Sequence, residues 1–385
     1  KAQTSRAPIQ DLTDKISGIF VPAVVILGIV TFWIWFVLLR DSVVVLGASF
    51  VSSLLYAVAV LIIACPCALG LATPAAIMVG LGKAVNAGVW FKDAAAMEET
   101  AHVDTVVLDK TGTLTKGELE ISALWQPQSA VYSEEDLYRF AAAVEQQANH
   151  PIAKAIVHAA EQKMLEIPTA LFAKMEVGQG IQAKLEQVGT IKVGKPDYCG
   201  LILPKNLEDI WQIASIVAVS INDEPIGAFA LMDTLKNDSL HAIQRLQQQN
   251  IDVVIMSGDQ QSVVDYIAKQ LGIKKAFGGL SPRDKAEQIQ KLKAQGHVVA
   301  MVGDGINDAP ALAAANVSFA MKSGSDIAEQ TASSTLMQHS VNQLVDALFI
   351  ARTTLKNIKQ NLFFAMIYNI LGIPLAAFGF LNPVI

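Results

Sequence analysis

Charge is what this sequence has least of. Only 17% of its 385 residues are Asp, Glu, Lys or Arg, against 52% apolar, and the stretches 18–39, 42–82 and 360–385 contain none of the four. Apolar excess gathered into uncharged runs of that length excludes a purely soluble protein. The first run has about the ~20 residues a helix needs to cross a bilayer. The second is long enough to cross and continue, and the third fits one span, 360 to about 377, before breaking up. The runs are read as spans, because the apolar core of a cleavable leader would be ~7–15 residues and would end in a small-residue cleavage site.

Cysteine is almost absent too. Cys65, Cys67 and Cys199 are the only three, two in the second run and one in the charged middle, which excludes a secreted disulfide framework and predicts reduced thiols. A net charge of −6 argues against a nucleic-acid partner. The positive charges that are present flank the runs. Lys1, Arg6 and Lys15 precede the first, Lys83 and Lys92 follow the second, and Arg352, Lys356 and Lys359 precede the third. Positive flanks face the cytoplasm. The pattern therefore predicts an in-out-in hairpin turning at Arg40-Asp41, a cytoplasmic insert from about 83 to 359, and a third span leaving the cytoplasm, with the spans in contact with membrane lipid.

Within the insert, four apolar, β-rich runs end in aspartate: "VDTVVLD" at Asp109, "IGAFALMD" at Asp233, "IDVVIMSGD" at Asp259 and "HVVAMVGD" at Asp304. Runs of this kind, separated by helical patterns at 239–249 and 261–271, predict buried parallel strands of a βαβ sheet. Such sheets place their chemistry at the carboxyl ends of the strands. A single Asp there is usually a cap or turn residue. Four converging, with glycines in "SGD" and "GDG" that let backbone approach a ligand, point to a hard cation and a phosphoryl group.

The strings "DKTGTLT" at 109–115, "SGD" at 257–259, Lys285 in "SPRDK" and "MVGDGINDAPAL" at 301–312 resemble the phosphorylation-domain motifs of P-type ATPases. The resemblance implies an α/β fold with transmembrane helices, in which a haloacid dehalogenase-like, Rossmann-type phosphorylation domain carries an inserted α+β nucleotide-binding domain. It implies that Asp109 is the nucleophile that takes the γ-phosphoryl of ATP, with Lys110, Gly258 and Asp259 in the same catalytic set. Asp109, the Thr111 carbonyl, Asp304 and Asp308 would hold Mg2+, supported by Asn307, while Lys285, Ser257 and Thr111 would neutralise phosphoryl oxygens. Soluble phosphatases of this fold carry a second Asp two positions after the nucleophile. Thr111 stands there, which predicts a longer-lived acyl phosphate.

From 116 to about 225 the pattern turns more polar. "EQQANHPIAKAI" and "GQG" resemble the nucleotide-binding domain of the heavy-metal branch, which implies adenine and ribose contacts from Glu145, His150, Gly178 and Gly180. Lys195 stands where that branch usually has Asn or Ser. The expected domains are a membrane hairpin at 1–83, phosphorylation-domain parts at 84–117 and 227–355, a nucleotide-binding domain at 118–226, and a membrane helix with the start of the next at 356–385.

The cargo is read from "CPC" in the second run. Residues two apart on an intact helix point ~200° apart, so Cys65 and Cys67 face one ion only if the helix opens. Pro66 removes a backbone N–H and clashes with the preceding turn. Thiolates select Cu(I), Zn²⁺ or Cd²⁺ over hard ions. Tyr368-Asn369 resembles a pair found in copper(I) pumps, and 360–385 holds no Lys of the kind usual in zinc and cadmium pumps. The resemblance thus implies a pump that exports Cu+ from a cytoplasmic copper donor, with Cys65, Cys67, Tyr368 and Asn369 at the metal. It also implies a bacterial inner-membrane location, cytoplasmic catalytic domains, and an actuator domain outside this sequence. A Zn²⁺ or Cd²⁺ pump, a membrane-tethered phosphatase and a non-enzymatic metal sensor are the alternatives.

Overall fold

The computed structural model describes residues 8–40, 46–64, 67–128, 131–204, 206–303, 308–322 and 330–381. The chain opens with α1 (Pro8–Arg40), α2 (Leu46–Ile63), α3 (Cys67–Asn86), β1 (Val89–Phe91), α4 (Ala94–Ala101) and β2 (Thr105–Asp109). Then come β3 (Thr115–Trp125), α5 (Glu134–Glu145), α6 (Pro151–Gln162), β4 (Leu171–Glu176), β5 (Gly180–Leu185), β6 (Gly189–Gly194), α7 (Ile210–Ile213), β7 (Ser215–Ile221) and β8 (Glu224–Leu235). The remainder is α8 (Ser239–Gln248), β9 (Asp252–Met256), α9 (Gln261–Leu271), β10 (Lys275–Phe277), α10 (Pro282–Ala294), β11 (Val299–Gly303), α11 (Ala309–Ala314), β12 (Val317–Met321), β13 (Ser334–Leu336) and α12 (Val341–Ala377). Two compact units result, one of Lys1–Thr105, Gln290–Met301 and Leu312–Ile385, the other of Val106–Ile289 and Val302–Ala311.

The first unit holds the apolar helices. Among the described residues, two helical stretches are long and apolar enough to cross a membrane, Ser17–Leu39 within α1 and Val341–Ala377, and Ser49–Ile63 is a shorter apolar helix. The second uncharged run is not one helix: α2 ends at Ile63 and α3 begins at Cys67. Cys65 and Pro66 lie outside the described residues, and the Cys67 side chain does too. The third run extends further back than its lack of charge predicts. Val341, Leu344, Val345, Leu348, Ala351, Leu355 and Ile358 are all buried along one continuous helix, so helical spacing of apolar positions carries the helix through the charged stretch. Its 37 residues make it ~55 Å long. The helix α3 packs closely at Gly80, where a Cβ would stand 2.5 Å from Met97 Cε and 2.6 Å from Thr354 Oγ1. The strand order here is β1-β13-β12-β11, with β1 antiparallel and β12 parallel to β13.

In the second unit the order β11-β2-β9-β10 continues with β9 and β10 parallel. Separate from these strands, residues 115–235 form an antiparallel sheet in the order β3-β8-β7-β6-β5-β4. That sheet corrects one expectation, because "IGAFALMD" is β8 and pairs antiparallel with both β3 and β7. Its unbroken apolar character comes from burial on both faces. Phe229 and Leu231 join the core under α5 and α6, with Leu137, Val144 and Ile156, while Ala228 and Ala230 join Cys199, Leu201 and Trp211. Two-sided burial, which parallel sheets usually require, here occurs in an antiparallel one. The β7–β8 hairpin turns at Asn222 and Asp223, with φ of 48° and 68°, the left-handed pair that a tight hairpin needs.

Candidate functional site

Every residue of β2 is buried, and the strand delivers Asp109 to its carboxyl end at 6% exposure. The chain then leaves through a wide turn in which Gly112 has φ 69°. Asp109 Oδ1 accepts a hydrogen bond from Lys285 Nζ at 2.5 Å, and the same ammonium donates to Asp308 Oδ1 at 2.8 Å. Lys285 reaches them from the start of α10, where it is buried. Burial opposes its charge, but the Asp109 and Asp308 carboxylates outweigh that and raise its pKa. Gly303, ending β11, leaves room for this grouping, since a Cβ there would lie 2.6 Å from Asp308 Oδ2.

A second set of pairs surrounds the first. Lys110 forms ion pairs with Asp259 at 2.6 Å and Asp233 at 3.8 Å. The Ser257 hydroxyl donates to Asp259 Oδ2 at 3.1 Å, and the Asp259 N–H donates back to Ser257 Oγ at 3.2 Å. The Asp233 carboxylate accepts from the Thr115 hydroxyl at 2.5 Å and from Gly117 N–H at 2.9 Å. Burial raises the pKa of Asp233, an effect that Thr115, Lys110 and Gly117 oppose without cancelling. The three described carboxylates that end apolar runs thus meet within one unit, although Asp233 arrives from the antiparallel sheet. Asp304 and Asn307 lie outside the described residues. Thr111 is exposed, and the Thr113 hydroxyl is buried without a hydrogen-bond partner.

Two residues that no motif singled out pin the turn after Asp109. Lys236 Nζ donates to Gly112 O at 2.6 Å, and the Ser239 hydroxyl donates to Leu114 O at 2.8 Å. The available signal was the polar cluster "DTLKNDS" directly after an apolar strand.

The antiparallel sheet carries a cavity of about 390 Å³ lined by Glu145, His150, Ile152, Gly178, Gly180 and Lys195, among others. Glu145 ends α5 at 7% exposure, and burial pushes its carboxyl up to about 7. His150 caps α6, its Nδ1 accepting from Ile152 N–H at 3.3 Å, so the ring presents Nε2–H as a donor. Gly178 has φ +74°, and a Cβ on Gly180 would lie 2.2 Å from Val193 O. The Lys195 N–H donates to Gln179 O at 2.9 Å. An apolar hollow with a few fixed polar groups suits a purine. The Asp109 and Asp308 carboxylates, both held by Lys285, are oxygen donors of the kind a hard cation such as Mg2+ takes. In the first unit, Asn369 of α12 is buried at 7% exposure and Tyr368 is 66% exposed, as expected for neighbours ~100° apart on a helix.

Residues 103–316 match the haloacid dehalogenase-like hydrolase family. Over 384 residues the chain is 86% identical to a probable cation-transporting ATPase of Haemophilus influenzae, covering all of this chain and 52% of that protein. It is 43% identical over 393 residues to a copper-exporting P-type ATPase of Bacillus subtilis, again over its whole length and 48% of the relative. A crystal structure of a zinc-transporting PIB-type ATPase in the E2.Pi state superposes with a TM-score of 0.83 at 35% identity, over 99% of this chain and 62% of that one. The chain spans about half the length of the curated relatives it matches.

Proposed function

Because the chain belongs to the heavy-metal P-type ATPase family, we propose that the protein it comes from exports Cu(I) across a bacterial inner membrane at the expense of ATP. The observation that carries the catalytic part is Asp109, buried at a strand end and held by Lys285, which also holds Asp308. An Asp109 oxygen attacks the γ-phosphorus of ATP. The new P–O bond forms as the bond to the β,γ-bridging oxygen breaks, and ADP departs with that electron pair. Lys285 orients the nucleophile and pairs with phosphoryl oxygens as charge develops. Asp109, Asp308, the Thr111 carbonyl and Asp304 would hold Mg2+, which would supply positive charge to the phosphoryl group. Glu145, His150, Gly178 and Gly180 take the adenine and ribose.

Cys65, Cys67 and Asn369 take the cargo from a cytoplasmic copper donor, with Tyr368 beside them, and the large catalytic domains lie in the cytoplasm. Copper is favoured by the thiol pair, by the absence of Lys from 360–385 and by the copper-exporting relative. The zinc-transporting structural neighbour keeps Zn²⁺ as the second reading.

The test incubates the full-length protein with γ-labelled ATP and either Cu(I) or Zn²⁺, with chelator controls. Acid-stable label that requires Cu(I) and is lost in Asp109→Asn is expected. Label surviving that substitution overturns the nucleophile assignment, and a preference for Zn²⁺ overturns the cargo.

A further inference from the structure

Where α4 meets α12, a cleft of about 490 Å³ is lined by His102, Arg352, Lys356, Lys359, Gln360 and Phe363, with Ala101 and Leu355 behind them. No carboxylate lines it. Arg352, Lys356, Lys359 and Phe363 follow one another at helical spacings of three and four, so they share one face of α12. The cations differ in their engagements. Arg352 Nη2 donates to Val103 O at 2.8 Å, which fixes that guanidinium against the loop after α4, while Lys356 and Lys359 are exposed. Glu98 on α4 attracts both His102 and Lys359, and its carboxylate also accepts from Ile9 N–H at 3.0 Å.

The level of this cleft along α12 is what singles it out. Charge ends at Lys359, and 360–377 is uncharged helix, ~27 Å long at ~1.5 Å per residue. That is close to the ~30 Å thickness of bilayer hydrocarbon. Lys356 and Lys359 therefore fall within about one turn of the hydrocarbon boundary, at headgroup depth, and Phe363, 59% exposed, enters the acyl region directly below them.

We propose that this cleft binds the phosphate of an anionic glycerophospholipid from the cytoplasmic leaflet, with Lys356 and Lys359 on the headgroup and Phe363 against the upper acyl chain. Two observations select a lipid over a soluble anion. An exposed aromatic continues the cleft toward the apolar segment, and positive charge near a membrane surface attracts anionic lipid at ~1 kcal/mol per residue. The inference rests on the reading of α12 as a membrane span.

The test reconstitutes the full-length protein into phosphatidylcholine vesicles doped with spin-labelled phosphatidylglycerol or spin-labelled phosphatidylcholine, and measures the fraction of each held motionally restricted by the protein. Wild type is expected to prefer the anionic label. Lys356→Gln/Lys359→Gln should reduce that preference by up to about thirtyfold, and Lys356→Arg/Lys359→Arg should keep it. Equal restriction of the two lipids by wild type overturns the proposal, as does an unchanged preference in the Gln variant. Release of the bound label by millimolar inorganic phosphate would assign the cleft to a free anion and also overturn it. Failure of the protein to float with vesicles overturns the membrane reading and this proposal with it, which separates that failure from the others.

Discussion

Replacing Lys285 with Met leaves a side chain of similar length and removes one charge from a nearly dry site. Its Nζ sits 2.5 Å from Asp109 Oδ1 and 2.8 Å from Asp308 Oδ1, and all three side chains are no more than 8% exposed. Two effects follow. The ground state loses the cation between two carboxylates, and breaking such a buried pair costs ~3–5 kcal/mol. The transition state loses a preorganised positive group, and one such donor is worth ~3–4 kcal/mol, or ~10²–10³ in rate. Phosphoenzyme formation, followed by rapid quench of the full-length protein with labelled ATP, should therefore slow by ~10²–10³. ATP affinity should change by no more than about twofold, because Lys285 does not line the nucleotide cavity and separate sites add nearly independently. Intact ATP binding also shows that the variant is folded. Lys285→Arg keeps the charge but presents a planar fork where a compact ammonium stood, so it should recover only part of the rate. A Met variant phosphorylated within about fivefold of wild type would refute the preorganisation argument.

The two glycines of the nucleotide cavity should separate. Gly180→Ala sets a Cβ against Val193 O, whereas Gly178→Ala meets open space at φ +74°; equilibrium binding should show a loss of ATP affinity of about tenfold or more for the first and a few-fold for the second, in line with ~1–2 kcal/mol for a left-handed alanine. Glu145 has an ordinary value of 4.5 raised to about 7 by burial, so its contribution to stability is full below 4.5 and is lost as pH rises through 7. Glu145→Gln should accordingly stabilise the protein at pH 8, by at most roughly 3 kcal/mol, and hardly change it at pH 4.5; thermal melting in detergent with equal effects at both pH values would contradict this. Thr111→Asp should shorten the phosphoenzyme lifetime by ~10² or more and give turnover of a small phosphate ester, and an unchanged lifetime in a chase experiment would count against the role of that position.

How far the fold and the site could be read in advance depended on what each residue's neighbours are. β2 and β9 were legible because a strand covered on both faces in a βαβ layer is continuously apolar; β2 ends in Asp109 and β9 leads within three residues to Asp259, and each carboxylate forms an ion pair at the site. β8 reads identically and belongs to another sheet: its alternate residues face two different cores, a fact about packing that no local pattern contains. The Asp109, Lys285 and Asp308 grouping joins residues 176 and 23 positions apart, and family motifs, not periodicity, brought them together on paper. Lys236 and Ser239 escaped notice because they hold backbone carbonyls of the turn, and a main-chain acceptor leaves no mark in composition. The length of α12 was hidden by Arg352, Lys356 and Lys359, whose charges interrupt a hydropathy run without interrupting a helix.

The committed state of the carboxylates bears on how long a phosphorylated Asp109 lasts. Hydrolysis of an acyl phosphate needs a base to take a proton from water. Among the described residues at the site, Asp308 is bound to Lys285, Asp259 to Lys110 and the Ser257 hydroxyl, and Asp233 to Lys110, Thr115 and the Gly117 N–H. Asp233 has a raised pKa, but it is held in place by the same turn that its neighbours Lys236 and Ser239 anchor. Recruiting any of the three as a base would break an ion pair or strip donors from a buried carboxylate, at ~1–3 kcal/mol or more for each group left unsatisfied. The position that soluble phosphatases of this fold give to the base is occupied by Thr111, which is exposed and too weakly basic for the task. Among the described residues no carboxylate at the site is held ready as a base, so a phosphorylated Asp109 is expected to give its phosphoryl group to water slowly.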